Sequence, residues 1–141
     1  MEDIRIRYYS KTGNTKAVAN YIAISLDKEA LEIIENDYNS KCGLLFLGGA
    51  PYANIMSKHL KEYANNLNKE NVNAVALFTT SNWSRRTVRA LKKILNEKEI
   101  KVYDNYLYIH MLNVKSSKDK ASIFAKEILE QYRKDFYGKD N

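Results

Sequence analysis

Apolar and polar positions alternate along this chain in two periods, and the periods themselves take turns. Ile4, Ile6 and Tyr8 interleave with Arg5, Arg7 and Tyr9, the period of two that marks a strand. Ala17, Val18, Tyr21, Ile22 and Leu26 then recur at helical spacing and predict an amphipathic helix. Leu31 to Ile34 reads as a short second strand. Leu44 to Leu47, stopped by Gly48 and Gly49, reads as a third strand buried on both faces. Pro51 is expected to open a helix that turns Ile55, Leu60, Tyr63, Ala64 and Leu67 inward. Val72 to Phe78 predicts a fourth strand, and Val88, Leu91 and Leu95 the helix after it. Ile100 to Met111 predicts a fifth, Tyr-rich strand. Ser116 or Ser117 is placed to cap a last helix with Ala121, Phe124, Ala125, Ile128 and Tyr132 inward.

Alternating strands and helices imply an α/β protein, a parallel sheet with helices on both faces. Ligands of such sheets sit at the carboxyl ends of the strands, near a topological switch point. The 141 residues suit one domain, taken as residues 1–141, with no linker, repeat or low-complexity tract.

Composition narrows the classes. A hydrophobic share of 45% and a charged share of 28% exclude a disordered chain. The longest apolar run, Leu44 to Leu47, is far below the roughly 20 residues of a membrane helix. The Met-Glu-Asp-Ile-Arg start lacks the pattern of a signal peptide, so a cytoplasmic protein without membrane association is expected. One cysteine, Cys42, allows no internal disulfide or cysteine-based zinc site, and it reads as a small hydrophobe at a strand start. His59 and His110 stand apart with no second ligand nearby, so no metal and no catalytic residue is expected. The formal charge of +6 raises nucleic acid as a partner. The basic residues are spread over helix surfaces without a binding signature, and Arg85-Arg86 and Lys92-Lys93 read as solvated faces.

The candidate chemistry lies at the strand ends. The first strand runs through Ser10-Lys11-Thr12-Gly13-Asn14-Thr15 into a helix, which places hydroxyl, amide and backbone donors at a helix N-terminus. That donor set suits a phosphate. With Gly13 alone it is neither a Walker A loop nor a Rossmann fingerprint. From the loop by itself, a phosphate site and a merely capped helix remain equally open. Gly48 also stands where a phosphoacceptor domain needs aspartate, and where a phosphatase loop starting at Cys42 needs arginine.

Tyr9 to Thr15 resembles the phosphate loop of the flavodoxins, Ser/Thr-any-Thr-Gly-Asn-Thr, matching at every restricted position between a strand and a helix. Leu47-Gly48-Gly49-Ala50-Pro51-Tyr52 is similar to the second flavin loop, and Phe78-Thr79-Thr80-Ser81-Asn82-Trp83 stands at the place of the third. The resemblance implies a three-layer flavodoxin-like fold with a five-stranded parallel sheet of order 2-1-3-4-5. It implies one FMN as cofactor, with Ser10, Thr12, Gly13, Asn14 and Thr15 on the phosphate and Lys11 at the variable position, able to help neutralise it. Gly49, Ala50, Pro51 and Tyr52 would form the second flavin loop, and Thr79, Thr80, Ser81, Asn82 and Trp83 the third. Tyr52 and Trp83 are then the residues that stack on the ring. The function implied is FMN-dependent electron transfer between redox partner proteins, with a monomer favoured. The alternatives are a small FMN-dependent NAD(P)H or quinone-type reductase, and a flavodoxin-like interaction module that has lost FMN. The basic charge turns the expected redox partners toward acidic proteins. Arg85 and Arg86 beside the ring would favour the reduced, anionic flavin and raise its potential.

The connection from the second to the third strand departs from the family pattern. About eight residues from Glu35 leave no room for a crossover helix, although eight extended residues reach at most about 26–29 Å, enough to pass over strand one. The sheet near strand one is then thinly covered, which predicts Glu35 or Asp37 close to Arg5 or Arg7.

Overall fold

A computed structural model describes residues 3–33, 37, 40–52 and 55–138, with the backbone alone at 52 and 55. The chain runs β1 (Ile4–Tyr8), α1 (Asn14–Ser25), β2 (Ala30–Glu32), β3 (Cys42–Gly49), β4 (Pro51–Tyr52), β5 (Ile55–Met56), α2 (Lys58–Asn65), β6 (Val72–Ser81), α3 (Arg86–Glu97), β7 (Lys101–Val102), β8 (Leu107–His110), a 3-10 helix (Met111–Ser116) and α4 (Lys118–Tyr137). The main sheet is parallel in the order β2-β1-β3-β6-β7, with β8 also on β6. β7 pairs with Ala74 and Val75, and β8 with Phe78 to Ser81, so the two lie in line as one interrupted fifth strand. This is the expected 2-1-3-4-5 order, with one break.

Alternation along the strands separates two cores. Ile4, Ile6, Leu44, Phe46, Ala76 and Phe78 face Val18, Ile22, Phe124, Ile128 and Tyr132 of α1 and α4. Leu45, Leu47, Val75 and Leu77 face Leu60, Tyr63, Val88, Leu91 and Leu95 of α2 and α3. Helices therefore cover both faces, giving three layers.

Three predicted elements come out differently. The fifth strand breaks because Tyr103 turns into the core and its hydroxyl donates to Asp135 of α4, 3.1 Å away. Asp104 meanwhile turns outward to Lys92, and Asp-Asn is a turn-forming pair. Pro51 does not open a helix: Pro51 and Tyr52 pair antiparallel with Met56 and Ile55 in a small hairpin. The helix begins at Lys58, where the Ser57 hydroxyl accepts the His59 N–H at 3.1 Å, a cap that Pro51 cannot supply. The second strand ends at Glu32, and Ile34 lies outside the described residues. Ser117 occupies the N-cap of α4, but its hydroxyl donates backward to the Val114 carbonyl.

The short β2–β3 connection is tied down by charge. Asp37 accepts from Arg7 Nε and from the Tyr63 hydroxyl (3.1 Å), and lies 3.6 Å from Arg5 Nη1. Arg5 also donates to Ser40, Asp3 and the Lys41 carbonyl. Two arginines in a central strand thus find a carboxylate, Asp37, in the short connection, as their sequence predicts. Glu35 lies outside the described residues. Cys42 starts β3, and burial pushes its thiol up to about 12, so it stays protonated and unreactive.

Among the described residues, Thr87 Oγ1 in α3 is buried without a hydrogen-bond partner. Thr87→Val removes that desolvated hydroxyl at nearly constant shape and is expected to stabilise the protein by about 1 kcal/mol. Thermal or urea unfolding reads the gain, and a loss of stability would mean the hydroxyl has a partner in solution.

Candidate functional site

The order of the sheet reverses between β1 and β3, and a cleft of about 320 Å³ opens at the carboxyl ends of the strands there. Thr12 and Asn14 line it from the β1–α1 loop, Ala50 and Pro51 from the end of β3, and Thr80, Ser81, Asn82 and Ser84 from β6 and its loop. Met111 closes it from the end of β8. None of these nine side chains carries a charge.

The local sequence explains the first loop. Gly13 is the N-cap of α1 at φ 93°, a left-handed conformation that glycine adopts without penalty. Its N–H donates to the Ser10 hydroxyl at 2.9 Å, closing the loop. Gly13 has no side chain to cap the helix, and among the described residues no side chain does so, so the N–H groups of Asn14, Thr15 and Lys16 are open to an outside acceptor. Thr15 and Thr80, both buried, share a 2.8 Å hydrogen bond that fixes the α1 N-terminus to β6.

Other predicted residues sit beside the cleft or serve packing. Lys11 is exposed and does not line the cleft. Thr79 is fully buried, and its hydroxyl donates to the Gly49 carbonyl at 2.7 Å, a brace between β6 and β3. A Cβ at Gly49 would meet Leu60, and one at Gly48 would fall among the ring atoms of Phe78. Core packing thus accounts for both glycines. Tyr52 lies in β4, and its ring lies outside the described residues.

Trp83 leaves the cleft wall for solvent, with 75% of its surface exposed and φ at 77°. That backbone is unfavourable for a bulky residue, and its neighbours hold it. Trp83 N donates to the Tyr108 hydroxyl (2.7 Å), which donates to the Ser81 carbonyl (3.2 Å). The indole packs edge-on to His110 at 4.6 Å between centroids. His110 Nδ1 accepts the Leu112 N–H, which leaves its proton on Nε2, 2.9 Å from Asn82 Oδ1. Arg85 does not reach into the cleft; its guanidinium stacks 3.6 Å above the Tyr108 ring. Trp83, Tyr108, His110, Leu112 and Lys120 border a neighbouring cavity of about 550 Å³.

Sequence reasoning missed Ser84 and Met111. Met111 follows the fifth strand, and the rule that all strand ends border the site was the signal available for it. Ser84 carried no signal, because its place follows from the turn at Trp83. Among the described residues, no group of His, Cys, Asp and Glu is arranged to hold a metal ion, and no helix is long and apolar enough to cross a membrane.

Solved structures match this arrangement over nearly its full length. A flavodoxin from the domain Archaea superposes with a TM-score of 0.77 at 19% identity, covering 94% of this chain and 99% of that one. A short-chain flavodoxin associated with a non-canonical PDU bacterial microcompartment gives 0.74 at 13% identity, with coverages of 94% and 99%. The rubredoxin:oxygen oxidoreductase of Desulfovibrio gigas gives 0.74 at 15% identity, with this chain matching 36% of its length. No protein-family model matches the sequence, and no curated protein is found as a sequence relative. The protein is an α/β chain of the flavodoxin-like fold, as its loop motifs led one to expect.

Proposed function

We propose that the cleft binds FMN through its phosphate and that the protein carries electrons between redox proteins. The observation that carries this reading is the α1 N-terminus. It lacks a side-chain cap, has no acidic residue in its first turn, and opens into a cleft shared by three strand-end loops without a carboxylate. Thr12 and Asn14 would bind the phosphate with the first-turn N–H groups, while Ser10 and Gly13 hold the loop and Thr15 anchors the helix to Thr80. Ala50, Pro51, Thr80, Ser81 and Asn82 would border the rest of the cofactor. Trp83 and Tyr52 are the ring-contacting residues in this reading, the flavodoxins being the structural neighbours. Bound FMN supplies one- and two-electron redox chemistry. The chain's part is to bind and orient it, and redox partner proteins, acidic ones first, are the proposed donors and acceptors.

Thr12→Glu tests the phosphate assignment. Thr12 is exposed, so the fold is expected to persist, while a carboxylate about 4 Å from the phosphate at an effective dielectric near 20 costs roughly 4 kcal/mol. FMN binding to the apoprotein is expected to weaken at least about 100-fold, with riboflavin, which lacks the phosphate, unaffected. Equal FMN affinity in variant and parent would place the phosphate elsewhere.

A second reading, an FMN-dependent reductase of small quinone-like substrates, is favoured by the cavity of about 550 Å³ beside Trp83. Steady oxidation of NAD(P)H with a quinone by the FMN-loaded protein would select it over the carrier.

A further inference from the structure

A basic groove runs between α2 and α3, outside the cleft. It holds about 860 Å³ and is lined by Lys61 and Asn65 of α2, by Arg86, Arg89 and Lys93 of α3, and by Glu97. Met56, Ala90 and Ile94 line it as well, and all three are half-buried. Arg86, Arg89 and Lys93 are spaced three and four apart, so α3 presents them on one face. Lys61 faces them from α2. All four cations are exposed, and none makes an ion pair among the described residues, whereas Lys69, Lys92 and Lys101 are each paired with a carboxylate. Four cations thus meet one lining carboxylate, over an apolar strip.

The groove neighbours the candidate site. Pro51 lines the cleft, and its cross-strand partner in the β4–β5 hairpin, Met56, lines the groove. Ser84 lines the cleft, and Arg86, two residues on, lines the groove.

We infer that this groove docks an acidic amphipathic segment of a partner protein, with apolar anchors on Met56, Ala90 and Ile94 and carboxylates against Lys61, Arg86, Arg89 and Lys93. The partner's role as a redox protein rests on the proposed function; the docking itself does not. Charge complementarity selects the chemistry, because a basic segment would meet four like charges, and the apolar strip favours an amphipathic segment over a purely charged polymer.

The test is an amide NMR titration of the full chain, with and without FMN, using a helix-forming peptide of about five turns. The peptide carries Leu at i, i+3, i+4 and i+7 and Glu on the flanks. Shifts are expected on α2, α3 and Met56 in both forms. Arg89→Glu with Lys93→Glu is expected to weaken binding at least about tenfold, as is raising the ionic strength from about 0.05 to 0.5 M. Replacing the peptide's Leu by Ser is also expected to weaken it. Shifts mapping elsewhere, or unchanged affinity on charge reversal in a protein with the parent spectrum, would overturn the proposal. So would tighter binding of a single-stranded oligonucleotide of equal charge, which would make nucleic acid the occupant. Peptide binding by a protein that takes no FMN would uphold the groove and overturn only the electron-transfer reading.

Discussion

Asp37→Ala is expected to cost about 3 kcal/mol of folding stability, read from urea unfolding. Arg7 is 8% exposed in the central strand β1, and Asp37 is the carboxylate that neutralises it. Removing one member of such a pair leaves a desolvated charge without its partner, which is far costlier than the pair is stabilising. The Tyr63 hydroxyl loses its acceptor in the same change. The physical cause predicts a second result: Arg7→Leu together with Asp37→Leu is less damaging than Asp37→Ala alone, because no charge is left buried. A loss below about 1 kcal/mol for Asp37→Ala would show that water replaces the carboxylate and that the β2–β3 connection is not held by it.

Gly48→Ala is expected to be at least as severe, about 3 kcal/mol or more. The added Cβ would fall among the ring atoms of Phe78, the cross-strand partner of Gly48 on β6, which is itself fully buried and has nowhere to go. Overpacked sites relax by moving backbone, and a central strand paired on both sides resists this. Against a typical total of about 5–15 kcal/mol, the variant is left marginal or unfolded at room temperature. Phe78→Leu in the same chain is expected to recover part of the loss. Gly49→Ala is the internal control: its Cβ meets the end of the Leu60 side chain, which is more easily displaced. Equal stability of Gly48→Ala and parent would contradict the close packing of β3 on Phe78.

These two positions also show what could be read from the sequence. Arg5 and Arg7 in an otherwise apolar strand demanded nearby carboxylate, and the short connection offered only Glu35 and Asp37. That reasoning named these two because burying a lone charge is too costly to be common, and Asp37 meets both arginines. Gly48 and Gly49 end a strand, as their sequence predicts, but the resemblance to a flavin loop gives no hint that they also make room for Phe78 and Leu60. A missing side chain says that something comes close, but not what.

Among the described residues, periodicity located α1 to α4 and the strands of the main sheet, because both faces of the sheet are buried and both periods are strong. It failed where a single side chain decides the backbone. The Tyr103 hydroxyl found Asp135 and split the fifth strand, and Ser57 took the helix start from Pro51. In the site, the Ser10–Thr15 loop was legible from its motif, since a left-handed Gly13 and its hydrogen bond to Ser10 are local requirements. The third loop was not, because Trp83 takes its position from Tyr108 and His110, which are 25 and 27 residues later and join it only in the folded sheet.

The most direct test of the central proposal is a fluorescence titration of FMN with the purified apoprotein. Flavin emission is expected to fall linearly to a sharp equivalence point at one FMN per chain, with riboflavin bound markedly more weakly. Emission that stays constant through a large excess of folded protein would contradict the proposal that this cleft is an FMN site.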